Sequence, residues 1–315
     1  MCSFPLFCKE KFNTLRLYKH KKREYNLRIK NESLNKELFM SYPKILTIQD
    51  ISCVGQCSLT VALPIISACG IETCVLPSAV LSTHTAGFTG FTFRDLTDDM
   101  PAIKDHWVRE GIRFNAVYTG YLGSTKQIDY VTDIIDTTSA EGSVTVIDPA
   151  MADNGKLYPA FDAEYVNAMK KLVSKADYVI PNVTEACFLT DTEYKTVCDR
   201  AYVDELIARL TALGAKNVIL TGISYREGMT GVVVYENGEY AYYEHVFLKG
   251  SCHGTGDIYA SAFTGALVRG KSAYESAKIA ADYTVLCIEA TADEKNHWYG
   301  AKFEPVLPRL IEMLT

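Results

Sequence analysis

Residues 44–66 read "KILTIQDISCVGQCSLTVALPII". Lys44–Gln49 is a short β-rich apolar run, the first expected strand, and the residues just after it decide which α/β fold the chain can adopt. A dinucleotide-binding fold would place G-x-G-x-x-G directly after this strand, and a P-loop protein would carry G-x-x-x-x-G-K-[ST]. The chain has "DISCVGQCSLT" at this position instead, and no Walker-type sequence anywhere. Both of those phosphate-binding folds are disfavoured.

Similar runs recur along the chain at Thr73–Pro77, Ala116–Tyr121, Val144–Asp148, Tyr178–Pro181 and Val218–Thr221. Helical stretches fall between them, for example Thr125–Thr138, Ala163–Ser174 and Asp199–Leu213. Apolar runs separated by helical crossovers predict a parallel sheet covered on both faces. "GVVVYENGEYAYYEH" (231–245) differs: two β-rich arms flank Asn237-Gly238, the signature of a tight hairpin, so an antiparallel edge is expected. Three further helices should follow to Thr315. No repeat or internal linker is evident, and one domain is expected from about residue 40.

Composition narrows the function. The 315 residues carry a net charge of −6, but residues 1–39 hold ten Lys/Arg against four Asp/Glu, so the remainder is strongly acidic. An acidic body disfavours a nucleic-acid partner, because phosphate backbones require a basic face. Residues 1–39 are Lys/Asn/Arg-rich with no sustained apolar stripe and read as a disordered, solvated extension, with a basic docking or targeting arm as the alternative. Met40 stands just before the first strand, so an upstream start would account for the extension. No apolar run approaches the roughly 20 residues of a membrane span. The ten cysteines include no C-x-x-C pair, and several sit in apolar segments, which points to reduced thiols in a cytoplasmic protein.

In sheets of this kind ligands bind beyond the carboxyl ends of the strands. Asp50, Tyr121, Asp148, Asn182 and Thr221 stand there. In "CHGTGDIYASAF" (252–263), backbone N–H groups of Gly254, Thr255 and Gly256 can converge on an anion at a helix start. Asp257 is either a plain first-turn residue or a base for a nearby hydroxyl. The helix start is expected to keep it ionised rather than raise its pKa. Asp148 and Asp153 of "VIDPAMADNG" and Glu185 of "PNVTEA" suit Mg²⁺, which takes few protein oxygens and keeps phosphates and waters as other ligands. The competing reading makes Asp153-Asn154-Gly155 a turn and Asn182 or Thr184 a helix cap. "TGYLGS" (119–124) offers the Tyr121 ring to an aromatic ligand or to the core. "STHTAGFTGFTFRDLT" (82–97) reads as a flap that would close Phe88, Phe91 or Phe93 over a ligand. His84 within it reads as structural rather than catalytic.

Taken in order, "ILTIQDISCVGQCSLTVALPII", "LSTHTAGF", "TGYLGS", "VIDPAM", "IPNVTEA" and "HGTGDIYASAF" resemble the ribokinase-like superfamily. The likeness is to its pyridoxal/pyridoxamine kinase branch, in particular the Firmicute-type pyridoxamine kinases, and covers nearly all of residues 44–290. It implies a three-layer α/β/α sandwich with a substrate-covering flap. It also implies ATP-dependent phosphorylation of the 5′-hydroxymethyl group of a B6 vitamer, with Mg²⁺ and room for a monovalent cation, in a homodimer whose flap lies near the partner. Asp257 would be the base, with Gly254, Thr255 and Gly256 as anion hole. Asp50, Cys57, Thr85 and Tyr121 would meet the substrate; Asp148, Asn182, Glu185 and Thr221 the nucleotide; Asp148, Glu185 and Asp153 the metal.

The chain departs from the pattern in three places. Ser251 replaces an aspartate common before "GTGD", Asp50 replaces the serine of the usual "TIQS", and "DPAMADNG" replaces "DPVMGD". The last departure weakens the metal role of Asp153. A hydroxymethylpyrimidine kinase, or a vitamer-binding protein without turnover, would present the same residues.

Overall fold

The computed structural model describes residues 42–248, 252–292, 294 and 296–315. Within them, Pro43–Thr315 forms one compact unit built on a nine-stranded sheet. β1 (Lys44–Ser52) pairs in parallel with β2 (Glu72–Leu81) on one side and β4 (Phe114–Thr119) on the other. β5 (Ser139–Ile147), β8 (Tyr178–Val179) and β9 (Asn217–Ile223) continue the parallel run. The edges are antiparallel: β3 (Phe93–Asp95) lies against β2, and β10 (Met229–Glu236) and β11 (Glu239–Val246) follow β9. The strand order is therefore β11-β10-β9-β8-β5-β4-β1-β2-β3.

Strand periodicity sorts the core into two layers. Leu46, Ile48, Val117, Ile147 and Leu220 face α2 (Met100–Arg109), α3 (Thr125–Thr138), α4 (Ala163–Val173), α5 (Val183–Thr190) and α6 (Arg200–Ala212). Ile45, Ala116, Tyr118, Val146 and Ile219 face α1 (Leu59–Ala68), α7 (Thr255–Val268), α8 (Ala273–Thr291) and α9 (Leu307–Leu314). Strands apolar on both faces are what a sheet covered on both sides requires.

The expected hairpin forms between β10 and β11. Asn237 (φ 53°) and Gly238 (φ 88°) both take positive φ, the conformation of a two-residue turn whose twist matches its flanking strands. A second such turn, Asn154 (φ 50°) and Gly155 (φ 75°), joins the small strands β6 (Ala152–Asp153) and β7 (Lys156–Leu157). Boundaries shift where the chemistry demands. The expected Tyr178–Pro181 strand shrinks to two residues because Pro181 has no N–H for the ladder, although its carbonyl still accepts from Thr221 N (3.0 Å). Residues 82–97, expected to form a flap, carry the edge strand β3 near their end. No helix among the described residues is long and apolar enough to cross a membrane.

Candidate active site

Asp50 at the carboxyl end of β1 and Asp148 just past β5 both lie within electrostatic reach of Asp257 in the first turn of α7, and these three carboxyls mark the site. Gly254 is the N-cap of α7, with φ 79°. A Cβ there would stand 1.7 Å from the Gln56 carbonyl oxygen, so only glycine lets the loop before α1 lie against the helix start. Nothing stands within 4 Å of a Cβ placed on Gly256, which faces open space. The first N–H groups of a helix lack intrahelical acceptors, so this turn presents donors and the positive end of the dipole to whatever enters.

Asp257 follows in that turn. The expectation that the helix start keeps it ionised is overturned. Burial, reinforced by the Asp50 charge, pushes its carboxyl from 3.8 up to about 7, although the Ser58 backbone N–H bonds it and opposes the shift. The dipole of one turn does not offset removal from water and a like charge.

Asp50 belongs to β1 and is buried. Burial raises its pKa against hydroxyl hydrogen bonds from Ser58 and Ser52, the latter at 3.0 Å, and against the nearby His84. Its charge acts on Cys57, Tyr121 and Asp257, which all lie within electrostatic reach of it. Burial and the two aspartates push the Cys57 thiol far up, so it is a neutral wall rather than a nucleophile. The Tyr121 ring lies 5.4 Å from that of Phe161, which stacks on Tyr165 at 3.7 Å; Tyr158 joins this aromatic side. Thr85 is exposed on the loop beside His84.

Asp148 is buried just past β5, its Oδ1 accepting from Ala150 N (3.1 Å). Burial, with the Glu185 and Asp257 charges, drives its pKa well up. Glu185 is also buried, and its carboxyl is pushed up to about 7 by burial. Its two oxygens accept from Met151 N (3.0 Å) and Asn182 N (2.9 Å), and Asn182 Oδ1 accepts from Glu185 N (2.9 Å). This is a capping box on α5. Asn182 is therefore a cap, as one of the two sequence readings had it, and Glu185 ties that cap to the Asp148 loop. Thr221 bridges to Asn182, and its hydroxyl donates to Pro181 O (3.3 Å).

Asp153 makes no hydrogen bond to this pair, although its charge acts on Glu185. Its carboxylate accepts from Asn154 N (2.8 Å) and Asn154 Nδ2 (2.9 Å) and is exposed in the β6–β7 turn, the competing reading of that stretch. Among the described residues no group of three His, Cys, Asp or Glu could hold a metal ion. Two buried carboxyls nonetheless fit Mg²⁺, which is commonly held by one or two carboxylates together with substrate phosphates.

His84 is structural. Its Nε2–H tautomer donates to Tyr299 O (2.7 Å) while Nδ1 accepts from Ala86 N (3.1 Å). Phe88, a flap residue, packs on Trp298 with ring centroids 4.6 Å apart. Ser251 lies outside the described residues. Sequence reasoning missed Ser58, which opposes the rise in pKa of both Asp50 and Asp257. It also missed the buried polar floor of Gln49, Tyr118 and Ser261, whose Oε1, Oη and Oγ atoms make no hydrogen bond of normal geometry. Strand alternation places Gln49 and Tyr118 on the α7 side of the sheet, but only the fold brings Ser261 over them.

Known proteins share both sequence and fold with the chain. The phosphomethylpyrimidine kinase family model matches residues 63–302. A structure from Bacteroides thetaiotaomicron, described as a candidate phosphomethylpyrimidine kinase with pyridoxal, is 38% identical. Its TM-score is 0.81, covering 86% of this chain and 96% of that one. Pyridoxal kinase from Lactobacillus plantarum is 29% identical with a TM-score of 0.81, covering 87% and 98%. Pyridoxal kinase of Dictyostelium discoideum is 29% identical over 61% of this chain, and the match spans 64% of that kinase's length. With the family model matching most of the chain and the same fold in relatives of this similarity, the chain belongs to the phosphomethylpyrimidine kinase family and has its ribokinase-like fold.

Proposed function

We propose that this protein transfers the terminal phosphoryl group of ATP to the 5′-hydroxymethyl group of a B6 vitamer, namely pyridoxal, pyridoxamine or pyridoxine, in salvage of the phosphorylated cofactor. The observation that carries the reading is Asp257: a carboxyl lifted to about 7 in the first turn of a glycine-capped helix, between Asp50 and Asp148. A base with a pKa near the working pH combines adequate ionisation with useful basicity. The vitamer ring would lie along Tyr121, with Asp50, Cys57 and Thr85 around its substituents, and its hydroxymethyl group toward Asp257.

Phosphoryl transfer passes through a loose transition state, so positioning and charge stabilisation do most of the work. The N–H groups of Gly254, Thr255 and Gly256 hold the migrating group's oxygens, and Asp257 accepts the alcohol proton as the new O–P bond forms and the terminal P–O bond of ATP breaks, leaving ADP with the bridging oxygen. Asn182 and Thr221 line the nucleotide side. Asp148 and Glu185 would hold Mg²⁺, which supplies positive charge to a cleft whose own ionisable groups are acidic. Eight free cysteines among the described residues support a reducing, cytoplasmic setting. Exposed Val54 and Phe93 support a homodimer through the flap face.

The family's own description favours a second reading, in which hydroxymethylpyrimidine, another flat ring bearing a hydroxymethyl group, is the substrate. ADP release with each of the three vitamers and with hydroxymethylpyrimidine separates them. The value of kcat/KM should be at least about tenfold higher for a vitamer, a gap of about 1.4 kcal/mol. The reverse order assigns the pyrimidine, and no ADP release with any of the four supports a binding protein.

A further inference from the structure

Gln127 stands three residues after Ser124 in "STKQ" (124–127), the spacing of a capping box at the start of α3. Half of the box forms: Ser124 is the N-cap, and its hydroxyl accepts from Gln127 N (3.3 Å). The other half does not. A capping glutamine ordinarily reaches back to the backbone N–H of the N-cap, but Gln127 Oε1 accepts from Gly123 N (2.7 Å), one residue earlier. Its amide nitrogen leaves the helix altogether, donating to Ser78 O on β2 (3.1 Å), Thr97 Oγ1 (2.8 Å) and Asp95 Oδ1 (3.2 Å). The side chain is buried, with 1% of the residue exposed.

The partners fix the orientation of this amide. Gly123 N–H can only donate, so the oxygen faces it; a carbonyl and a carboxylate can only accept, so the NH₂ faces them. Ser78 O also accepts from Leu96 N (3.1 Å), and Asp95 Oδ1 also accepts from Thr97 N (2.8 Å) and from the Thr97 hydroxyl. One buried side chain therefore gathers the returning end of the flap, the strand from which the flap departs, and the loop that carries Tyr121. That loop is also held by Tyr165, whose hydroxyl donates to Leu122 O (2.7 Å). Glutamate suits a capping box as well as glutamine does and is favoured at a helix start. Here it would turn an oxygen onto the Ser78 carbonyl and the Asp95 carboxylate, which only a donor satisfies.

We propose that Gln127 is a positioning residue for the substrate pocket, binding the flap's returning end to the Tyr121 loop so that cover and wall keep one spacing. The inference rests on the kinase reading for its consequence in turnover, whereas the cross-link is a property of the folded chain. Neither Gln127 nor its partners belong to the nucleotide side of the site, so its loss falls on the vitamer and spares ATP.

The test is Gln127→Glu in the wild-type and Asp95→Asn backgrounds. Q127E retains an acceptor for Gly123 N and a favoured capping residue, so a merely local role would leave the melting temperature equal to or above wild type. The cross-link predicts a fall of at least about 2 °C, with faster hydrogen exchange in both 93–97 and 120–124 and none in α8. KM for the preferred vitamer should rise at least about fivefold, the worth of one lost buried hydrogen bond, while KM for ATP stays within about twofold. In the D95N background an amide replaces the facing carboxylate, and the same substitution should cost less in every readout. The proposal is overturned by a Q127E protein that melts at or above wild type, by exchange that rises in only one segment, or by equal rises in both KM values. An equal cost in the two backgrounds overturns it as well. Should Q127E fail to fold, Thr97→Val removes the shortest of the three amide contacts from the flap side and carries the same expectations for exchange and KM. Exchange and melting need no substrate. A wild-type chain without turnover therefore ends the kinase reading, while unchanged exchange ends this one.

Discussion

Asp257 shows how a single residue carries opposite demands. Its pKa of about 7 makes it a usable base and a destabilising residue at the same time. In the unfolded chain the carboxyl ionises near 3.8, while the folded chain retains its proton until about 7. Between these values the folded state binds more protons, so stability falls as pH rises, and the whole penalty is present above pH 7. Asp257→Asn should therefore melt higher than wild type at pH 8, by about 2–4 °C for each kcal/mol relieved in a domain of this size, and show little difference near pH 4. Thermal scans at the two pH values check this, and a variant melting lower than wild type at pH 8 contradicts it. Turnover should show the complementary dependence, with kcat falling as pH drops below about 7 because the base becomes protonated. A pH–rate profile flat from pH 5.5 to 8 would remove Asp257 from that role.

At the scale of elements, the loop and helix ends set the precision of the site. Gly254→Ala would drive a Cβ into the Gln56 carbonyl and force a left-handed φ on alanine. The loop before α1 and the start of α7 must then separate. The expected result is a drop in kcat of at least about 100-fold, the scale on which removal of one oxyanion donor acts, with a lower melting temperature. Preserved turnover would mean that the glycine turn does not hold the migrating group. Glu185→Gln tests the capping box: a side-chain NH₂ would face the backbone N–H of Met151 or Asn182, leaving a buried donor unpaired at a cost of about 1–3 kcal/mol. Denaturant unfolding should register that loss, together with a higher KM for ATP as the Asp148 loop loosens. These elements also explain what the sequence could convey. Asn182 was readable because a cap is chemically local, decided by neighbours within four residues, whereas the need for glycine at 254 is set by the distant Gln56 carbonyl. The raised pKa of Asp257 was not readable, because it depends chiefly on burial, which only the assembled fold supplies, and secondarily on β1 bringing the Asp50 charge alongside from a distant part of the chain.

For the whole molecule, the alternation of apolar runs and helices was enough to place the parallel core, and Asn237-Gly238 enough to place the antiparallel hairpin. The edge strand β3 was not legible: three exposed residues, Phe93–Asp95, acquire strand form only because β2 offers an unpaired edge. The five residues at the strand ends could be named because the fold class dictates where ligands bind, whereas Asp153 stayed open between two readings because a turn and a metal loop have the same composition. The basic stretch 1–39 has no part in the proposed chemistry, and its deletion should leave kcat and KM within about twofold of the full chain, a difference under 1 kcal/mol. A loss of activity on that deletion would make it part of the catalytic domain.

The proposed chemistry stands or falls on Asp257 accepting the proton of a hydroxymethyl group held beside the glycine turn. The decisive comparison is between wild type and Asp257→Asn, for ADP release with ATP and the preferred vitamer and for vitamer binding by calorimetry. The expected outcome is a fall in kcat of at least about 100-fold, within the range that general-base catalysis contributes, with the vitamer dissociation constant nearly unchanged. Turnover by the asparagine variant at the wild-type rate would refute the assignment.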